Sequence, residues 1–258
     1  MTTIKAIIMD GDGSTITHNK QLPENLRQLI IANPHIKWIM ATGRSLDLLR
    51  LLPIIDYLSH DTPHILDGGS RLNKITGESI EDYFMTTAEL ERFFKQLELD
   101  KIHFLYYYLD DEHSFFFSHD TVKWKDHLTF LQAHATEEIE QFKHWCYQFH
   151  PSKIFIRVKE PLNLEGLTWH QNEQNIDLTA HGVSKGSTCV RLLKHLQLTP
   201  QEVAFVFNDR NDLPLVEHPE LQNITKIKVG DYLPETAADY HVATPHDVAE
   251  IIERLITK

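Results

Sequence analysis

Cysteine is nearly absent: Cys146 and Cys189 are the only two in 258 residues. That argues against a disulfide framework and makes a reducing cytoplasm the expected location. Basic residues are scarce too, with 25 Lys and Arg against 37 Asp and Glu and a formal net charge of −12. Such a balance argues against nucleic acid or an anionic membrane as the main partner, while leaving room for a local basic site for a small anion. Long apolar runs are missing: the oiliest stretch, residues 46–58, is broken by Asp47, Arg50, Pro53 and Asp56 and cannot span a bilayer. The N-terminus carries no basic-then-apolar signal pattern, and neither repeats nor low-complexity segments are visible.

What is there begins at residues 4–15, Ile-Lys-Ala-Ile-Ile-Met-Asp-Gly-Asp-Gly-Ser-Thr, an apolar strand that ends in two aspartates. A buried strand places Asp10 and Asp12 at its carboxyl end, where open α/β sheets hold their ligands. The glycine between them lets the two carboxylates converge. Like charges then repel by about 4 kcal/mol at roughly 4 Å in an effective dielectric of about 20. A cation between them relieves that cost, and oxygen ligands suit magnesium. The pairing supports attack by one carboxylate with proton transfer by the other. Asp-Gly-Asp-Gly is also good turn chemistry. A calcium loop matches less well, because the twelfth position from Asp10 is Gln21 instead of glutamate and a strand precedes the motif where a helix is needed.

Strand and helix patterns alternate around this motif. Strands are predicted at residues 4–9, 37–41 and 64–66, with helices at 23–32 and 46–52 between them. After the middle of the chain the rhythm resumes with a helix at 185–196, strands at 203–207 and 225–229, and a helix at 246–256. This alternation predicts an α/β fold, a Rossmann-like parallel sheet built from βαβ units. The middle reads as α+β: aromatic-rich strands at 102–109 and 114–118, helices at 86–97 and 136–150, and a strand at 153–158. The predicted organisation is therefore a core of residues 1–82 and 180–258 with an insert at 83–179.

Three further segments carry chemistry. Residues 38–44, Trp-Ile-Met-Ala-Thr-Gly-Arg, are a second strand ending in a hydroxyl, a glycine and a base, and Thr42 with the neighbouring N–H groups can hold phosphate oxygens. Thr-Gly after a strand is equally a turn or a helix cap. Lys185 stands at a helix start, where its charge opposes the helix dipole, so a carboxylate cluster or bound phosphate would explain it better than an exposed surface position. Phe207-Asn208-Asp209-Arg210-Asn211-Asp212 follows an apolar strand and offers more oxygen donors at a strand end.

In that order, Asp-x-Asp, Thr-Gly-Arg, a lysine and an acidic loop, the chain resembles the haloacid dehalogenase (HAD) superfamily of phosphohydrolases. The long insert makes it similar to the subgroup with a large α+β cap, which holds the Cof-type sugar-phosphate phosphatases and the trehalose- and sucrose-phosphate phosphatases. The resemblance implies that Asp10 is the nucleophile of an aspartyl-phosphate route and Asp12 the general acid and base. It places Thr42, Gly43, Arg44, Lys185 and Asn211 on the phosphate or substrate. Magnesium would be held by Asp10, Asp12 through its backbone carbonyl, and the fourth loop through Asn208, Asp209 or Asp212. The expected substrate is a small phosphate ester, a sugar phosphate. Departures are also visible: the usual Gly-Asp-x-x-Asn-Asp reads Phe-Asn-Asp-Arg-Asn-Asp here, which puts neutral Asn208 where a carboxylate is usual. Ser14 replaces a common threonine, and Asp67-Gly68-Gly69 replaces Asn-Gly-Ala.

Two rival functions stay open. Residues 182–186, Gly-Val-Ser-Lys-Gly, match a nucleophile elbow, with acids at Asp209 or Asp212 and histidines at His241 or His246 following in serine-hydrolase order. This leaves Asp10 and Asp12 without a role, and Ser184 serves as well as a helix N-cap. Asn208 also motivates a catalytically weak HAD-like protein that binds a phosphorylated ligand. The 17 histidines show no zinc spacing. The aromatics around 104–108 and 115–117 read as insert core, as a lid over substrate, or as a subunit contact in a homodimer.

Overall fold

The computed structural model describes residues 3–257 and divides into two compact units, residues 1–81 with 184–258 and residues 82–183. In chain order the first unit opens with β1 (Ala6–Met9), α1 (Glu24–Ala32), β2 (Lys37–Met40), α2 (Leu46–Leu49), β3 (His64–Leu66), β4 (Arg71–Asn73) and β5 (Ser79–Asp82, its last residue across the seam). The second unit contains α3 (Thr87–Gln96), β6 (Ile102–Tyr108), β7 (Ser114–Phe117), α4 (Lys125–Leu131), β8 (His134–Thr136), α5 (Ile139–Phe149), β9 (Lys153–Val158), β10 (Thr168–Asn172) and β11 (Asn175–Thr179). The chain returns to the first unit with α6 (Lys185–Leu196), β12 (Val203–Phe207), α7 (Leu213–Val216), β13 (Thr225–Val229), β14 (Tyr240–Val242) and α8 (Val248–Ile256).

The first unit is a parallel five-stranded sheet in the order β14-β13-β12-β1-β2. All four residues of β1 and all five of β12 are buried, as continuous apolar runs are when a parallel sheet is covered on both faces. Register decides what happens at their ends. Met9 pairs with Val206 on one side and Met40 on the other, so Asp10, Thr42 and Asn208 leave neighbouring strands at the same sheet edge. The bridge from Ala41 to Ile65 adds β3 beside β2, and β3 continues into the small sheet β3-β4-β5.

The second unit is a six-stranded sheet, β10-β11-β9-β6-β7-β8. Its core joins Leu105, Tyr107, Phe117 and Ile156 of the sheet to Phe93 of α3 and Phe142 of α5. An α/β core with an added antiparallel α+β region is thus observed.

Several elements depart from the sequence reading. The helix expected at 136–150 begins at Ile139, because Thr136 is the last residue of β8, which pairs in parallel with β7. The helix expected at 46–52 stops at Leu49. The one expected from 246 starts as a 3-10 turn, Pro245–Asp247, and becomes α-helical at Val248. Strands β4, β5, β8, β10, β11 and β14 and helix α4 were not expected.

Candidate active site

The ends of β1 and β12 and the start of α6 build a buried ionic cluster. Lys185 Nζ donates to Asp10 Oδ1 at 2.8 Å, to Asp212 Oδ1 at 2.7 Å and to Asn211 Oδ1 at 3.1 Å. All three lysine protons are thereby used, and the side chain is 1% exposed. Burial alone would lower the Lys185 pKa, but Asp10 and Asp212 outweigh it and hold the ammonium above its ordinary value. Asp212 moves the other way from a free carboxyl: burial and then the Asp10 charge push it up. Its Oδ2 accepts the Asn208 and Asp209 N–H groups at 3.3 and 3.2 Å, so this side chain pins the fourth loop to the lysine.

Two glycines set the position of Lys185. Ser184 caps α6, its Oγ accepting from Ser187 N–H at 3.2 Å while Ser187 Oγ accepts from Ser184 N–H at 3.0 Å. A Cβ on Gly186 would lie 1.9 Å from the Pro214 carbonyl oxygen, so the first turn of α6 touches the backbone of α7. Gly69, at φ +111°, comes so close from the other side that a Cβ there would lie 2.7 Å from Lys185 N. Lysine at a helix start is unfavourable against the dipole. Here two carboxylates offset that cost and close backbone packing fixes the geometry.

Asp10 is held with one oxygen nearly free. Its backbone carbonyl accepts Thr15 Oγ1–H at 2.6 Å and its Oδ1 takes Lys185, whereas Oδ2 has only the Ser14 hydroxyl at 3.4 Å. Ser14 makes its better bond to Asn208 Oδ1, at 2.9 Å. Gly13, at φ +83°, leaves room for that amide, since a Cβ there would lie 2.3 Å from Asn208 Nδ2.

Asp12 lies outside this cluster in a second one. Arg44 grips it with Nε on Oδ2 at 2.8 Å and Nη2 on Oδ1 at 3.1 Å, and Lys20 Nζ reaches Oδ1 at 2.5 Å. Burial alone would raise the Asp12 carboxyl; the hydrogen bonds and charges of Arg44 and Lys20 outweigh it and hold it below the usual carboxylate range. Thr42 is buried beside this strand end, its Oγ1 accepting Arg44 N–H at 3.1 Å and its carbonyl accepting Gly68 N–H at 3.1 Å.

Oxygen donors for a cation can be tested against this geometry. Among the described residues, no three His, Cys, Asp or Glu side chains group so as to hold a metal ion. What converges instead is one carboxylate oxygen of Asp10 and the amide oxygen of Asn208, both on the Ser14 hydroxyl. A hydroxyl has one proton and cannot satisfy both acceptors. That set of hard oxygen atoms fits magnesium, which binds through one or two carboxylates and keeps much of its water.

The residues singled out in the sequence therefore fall into two groups. Asp10, Lys185, Asn211, Asp212 and, through Ser14, Asn208 meet in one cluster. Arg44 turns to Asp12, and Asp212 spends both oxygens on Lys185 and the loop backbone. Gly43 lies between Thr42 and Arg44. Ser184 is used as the helix cap, and among the described residues its side chain bonds Ser187 and no histidine, which counts against the serine-hydrolase reading. Sequence reasoning missed Thr15 and Lys20, and it missed that Gly69 and Gly186 seat the backbone at Lys185. Gly186, a glycine inside the first turn of a helix, was the one visible signal.

Residues 7–222 match the model of haloacid dehalogenase-like hydrolases. The chain belongs to that family. No curated protein sequence matches it. Among solved structures, a haloacid dehalogenase-like hydrolase from B. subtilis is similar with a TM-score of 0.76 and 16% identity, over 98% of this chain and 100% of that one. BT1666 from Bacteroides thetaiotaomicron, described among phosphatases of the superfamily, gives 0.74 and 16%, over 98% and 95%. BT4131, described as a subclass IIB sugar phosphatase, gives 0.75 and 15%, over 97% and 98%. At such identities the likeness is one of fold. No helix among the described residues is long and apolar enough to cross a membrane.

Proposed function

We propose that this protein is a magnesium-dependent phosphomonoesterase acting on a small phosphorylated metabolite, a sugar phosphate or a compound of similar size. The observation that carries the reading is the buried Asp10–Lys185–Asp212 cluster at the carboxyl ends of β1 and β12, with Asp10 Oδ2 left nearly free. Phosphoryl transfer asks mainly for positioning and charge compensation, and this cluster offers both. The family membership and the likeness to BT1666 and BT4131 agree with it.

In this mechanism Asp10 attacks phosphorus and the ester P–O bond breaks. Asp12, ionised while Arg44 and Lys20 hold it, must first take up a proton as those contacts loosen; it gives that proton to the leaving oxygen, then takes one from the water that attacks the aspartyl-phosphate. The P–O bond to Asp10 breaks in that second step, releasing inorganic phosphate and restoring the carboxylate. Asn211 and Thr42, with the backbone at Gly43, hold the phosphoryl oxygens, Lys185 offsets their charge and turns a proton to them as one of its present bonds gives way, and Arg44 faces the rest of the substrate. Asp10, the Asp12 carbonyl and Asn208 would hold magnesium, with Asp212 fixing the loop that carries Asn208. The bound ion would offset charge on the transferring group. The 82–183 unit corresponds to the large α+β insert of the subgroup that the sequence resembles.

Hydrolysis of p-nitrophenyl phosphate with and without magnesium, beside Asp10→Asn, tests this. Metal-dependent turnover that falls at least about 1000-fold in a folded Asp10→Asn variant is expected, because the covalent route is then closed. Retained activity in the variant overturns the mechanism. No turnover at any magnesium concentration moves the reading to a phospho-ligand binding protein.

A further inference from the structure

Lys20 and Arg44 are both committed to Asp12, and two cations on one carboxylate leave a positive charge uncompensated. Among the described residues neither has another acidic partner. In a chain of net charge −12 such an excess is unusual. The cluster also faces solvent, with the Lys20, Asp12 and Arg44 side chains 59%, 41% and 22% exposed.

The backbone is shaped to deliver Lys20. It sits in the left-handed region at φ +59°, an uncommon conformation for a lysine. A tight turn enforces it: Lys20 N–H donates to Thr17 O at 2.8 Å, Thr17 N–H to Gln21 O at 2.9 Å, and Gln21 N–H to Thr17 Oγ1 at 3.1 Å. Asp12 itself is locked by the turn that Gly11 O closes with the Thr15 and Ile16 N–H groups at 3.0 and 2.9 Å. Strain of this kind collects where a side chain must be aimed.

Hydrogen-bond inventory gives the arrangement its meaning. Asp12 Oδ1 accepts from both Lys20 and Arg44 and Oδ2 from Arg44, so three charged bonds hold the carboxylate in place and ionised, and it gains a proton for an ester oxygen only when these cations are drawn elsewhere. Arg44 holds Asp12 through a two-pronged fork, a geometry that suits any carboxylate or phosphate equally.

We propose that Lys20 and Arg44 form a second anion subsite, so that the preferred substrate is a phosphomonoester bearing another anion, a carboxylate or a second phosphate, on its leaving group. The incoming anion replaces Asp12 on the fork and on Lys20, and Asp12 is released toward the ester oxygen. This inference rests on the phosphatase reading and names the substrate class of that same site.

The test compares matched esters in the magnesium-supplied wild-type protein and in Lys20→Met. The pairs are 3-phosphoglycerate against glycerol 3-phosphate for a carboxylate, and fructose 1,6-bisphosphate against fructose 6-phosphate for a second phosphate. We expect kcat/KM to favour at least one anionic member by roughly tenfold or more, about 1.4 kcal/mol. In Lys20→Met that ratio should collapse toward unity, mainly through KM, and Lys20→Arg should restore it. If Lys20 only positions Asp12, both members of each pair slow alike and the ratio is unchanged, which overturns the subsite. Equal use of both members by the wild type overturns it too, while p-nitrophenyl phosphate turnover leaves the phosphatase standing. If p-nitrophenyl phosphate is not hydrolysed, calorimetric binding of the same pairs decides: no preference for the anionic member again overturns the subsite.

Discussion

Replacing Asn208 by aspartate would put a second carboxylate beside Asp10 on the Ser14 hydroxyl, where an amide now contributes a neutral oxygen. Without metal, that added charge repels Asp10 and Asp212 and should destabilise the fold. With metal, it becomes an anionic ligand. Asn208→Asp is therefore expected to tighten magnesium by about tenfold, from an attraction of a few kcal/mol partly cancelled by desolvation. Calorimetric titration of magnesium reads this directly, and the rise of Tm with added magnesium should be steeper in the variant. An unchanged affinity means that Asn208 is not a ligand. Asn208 also shows what a linear motif can reveal: its place three residues before Asn211 was legible, whereas its bond to Ser14 was not. The Asp12 clamp was equally hidden, because Lys20 and Arg44 lie 8 and 32 residues from Asp12 and meet only through the fold.

Helix α6 carries the lysine, and its seat is defined by contact between backbones. Gly186→Ala would press a methyl group against the Pro214 carbonyl at 1.9 Å, a backbone atom that cannot swing aside. Overpacking of this kind costs about 1–3 kcal/mol. Because Lys185 is the adjacent residue, the displacement should also lower kcat by roughly tenfold or more, as small shifts of positioned groups do. Thermal denaturation and turnover of the variant check both effects; a wild-type Tm and kcat would show that α6 is not gauged by this contact. At this scale α6, β3, β9, β12 and β13 were legible to the residue, since each is an apolar run or stripe bounded by capping or turn residues. The hairpin β10–β11 was not. Thr-Trp-His-Gln-Asn lacks a clean alternation, and its turn at Glu173-Gln174 carries none of the Asn-Gly chemistry that marks a two-residue loop. Strand β8, a three-residue edge with largely exposed side chains, offered no pattern either.

Stability of the whole molecule should depend on pH through His64, which is fully buried where β3 meets β2. Its Nδ1 accepts the Met40 N–H at 3.0 Å, which requires the neutral ring, and burial pulls its pKa down from 6.5 to about 4. Above pH 6.5 the ring is neutral in both folded and unfolded chains and contributes no pH dependence. As pH falls below that value the unfolded chain takes up a proton that the folded protein refuses, so unfolding becomes steadily more favourable. The effect reaches about 3 kcal/mol near pH 4, where the folded ring titrates as well. His64→Asn keeps an acceptor for Met40 and removes the titration, so its stability should exceed that of the wild type increasingly as pH drops from 7 to 4. Denaturant unfolding of both proteins across that range gives the comparison. Parallel curves would mean that His64 is protonated in the folded state or shielded by a change in the β2–β3 seam. Since Met40 immediately precedes Ala41 and Thr42, loss of its bond below about pH 4, where the folded ring takes up its proton, should also loosen the strand end that presents Thr42, and phosphate affinity of the wild type should fall there but not in His64→Asn.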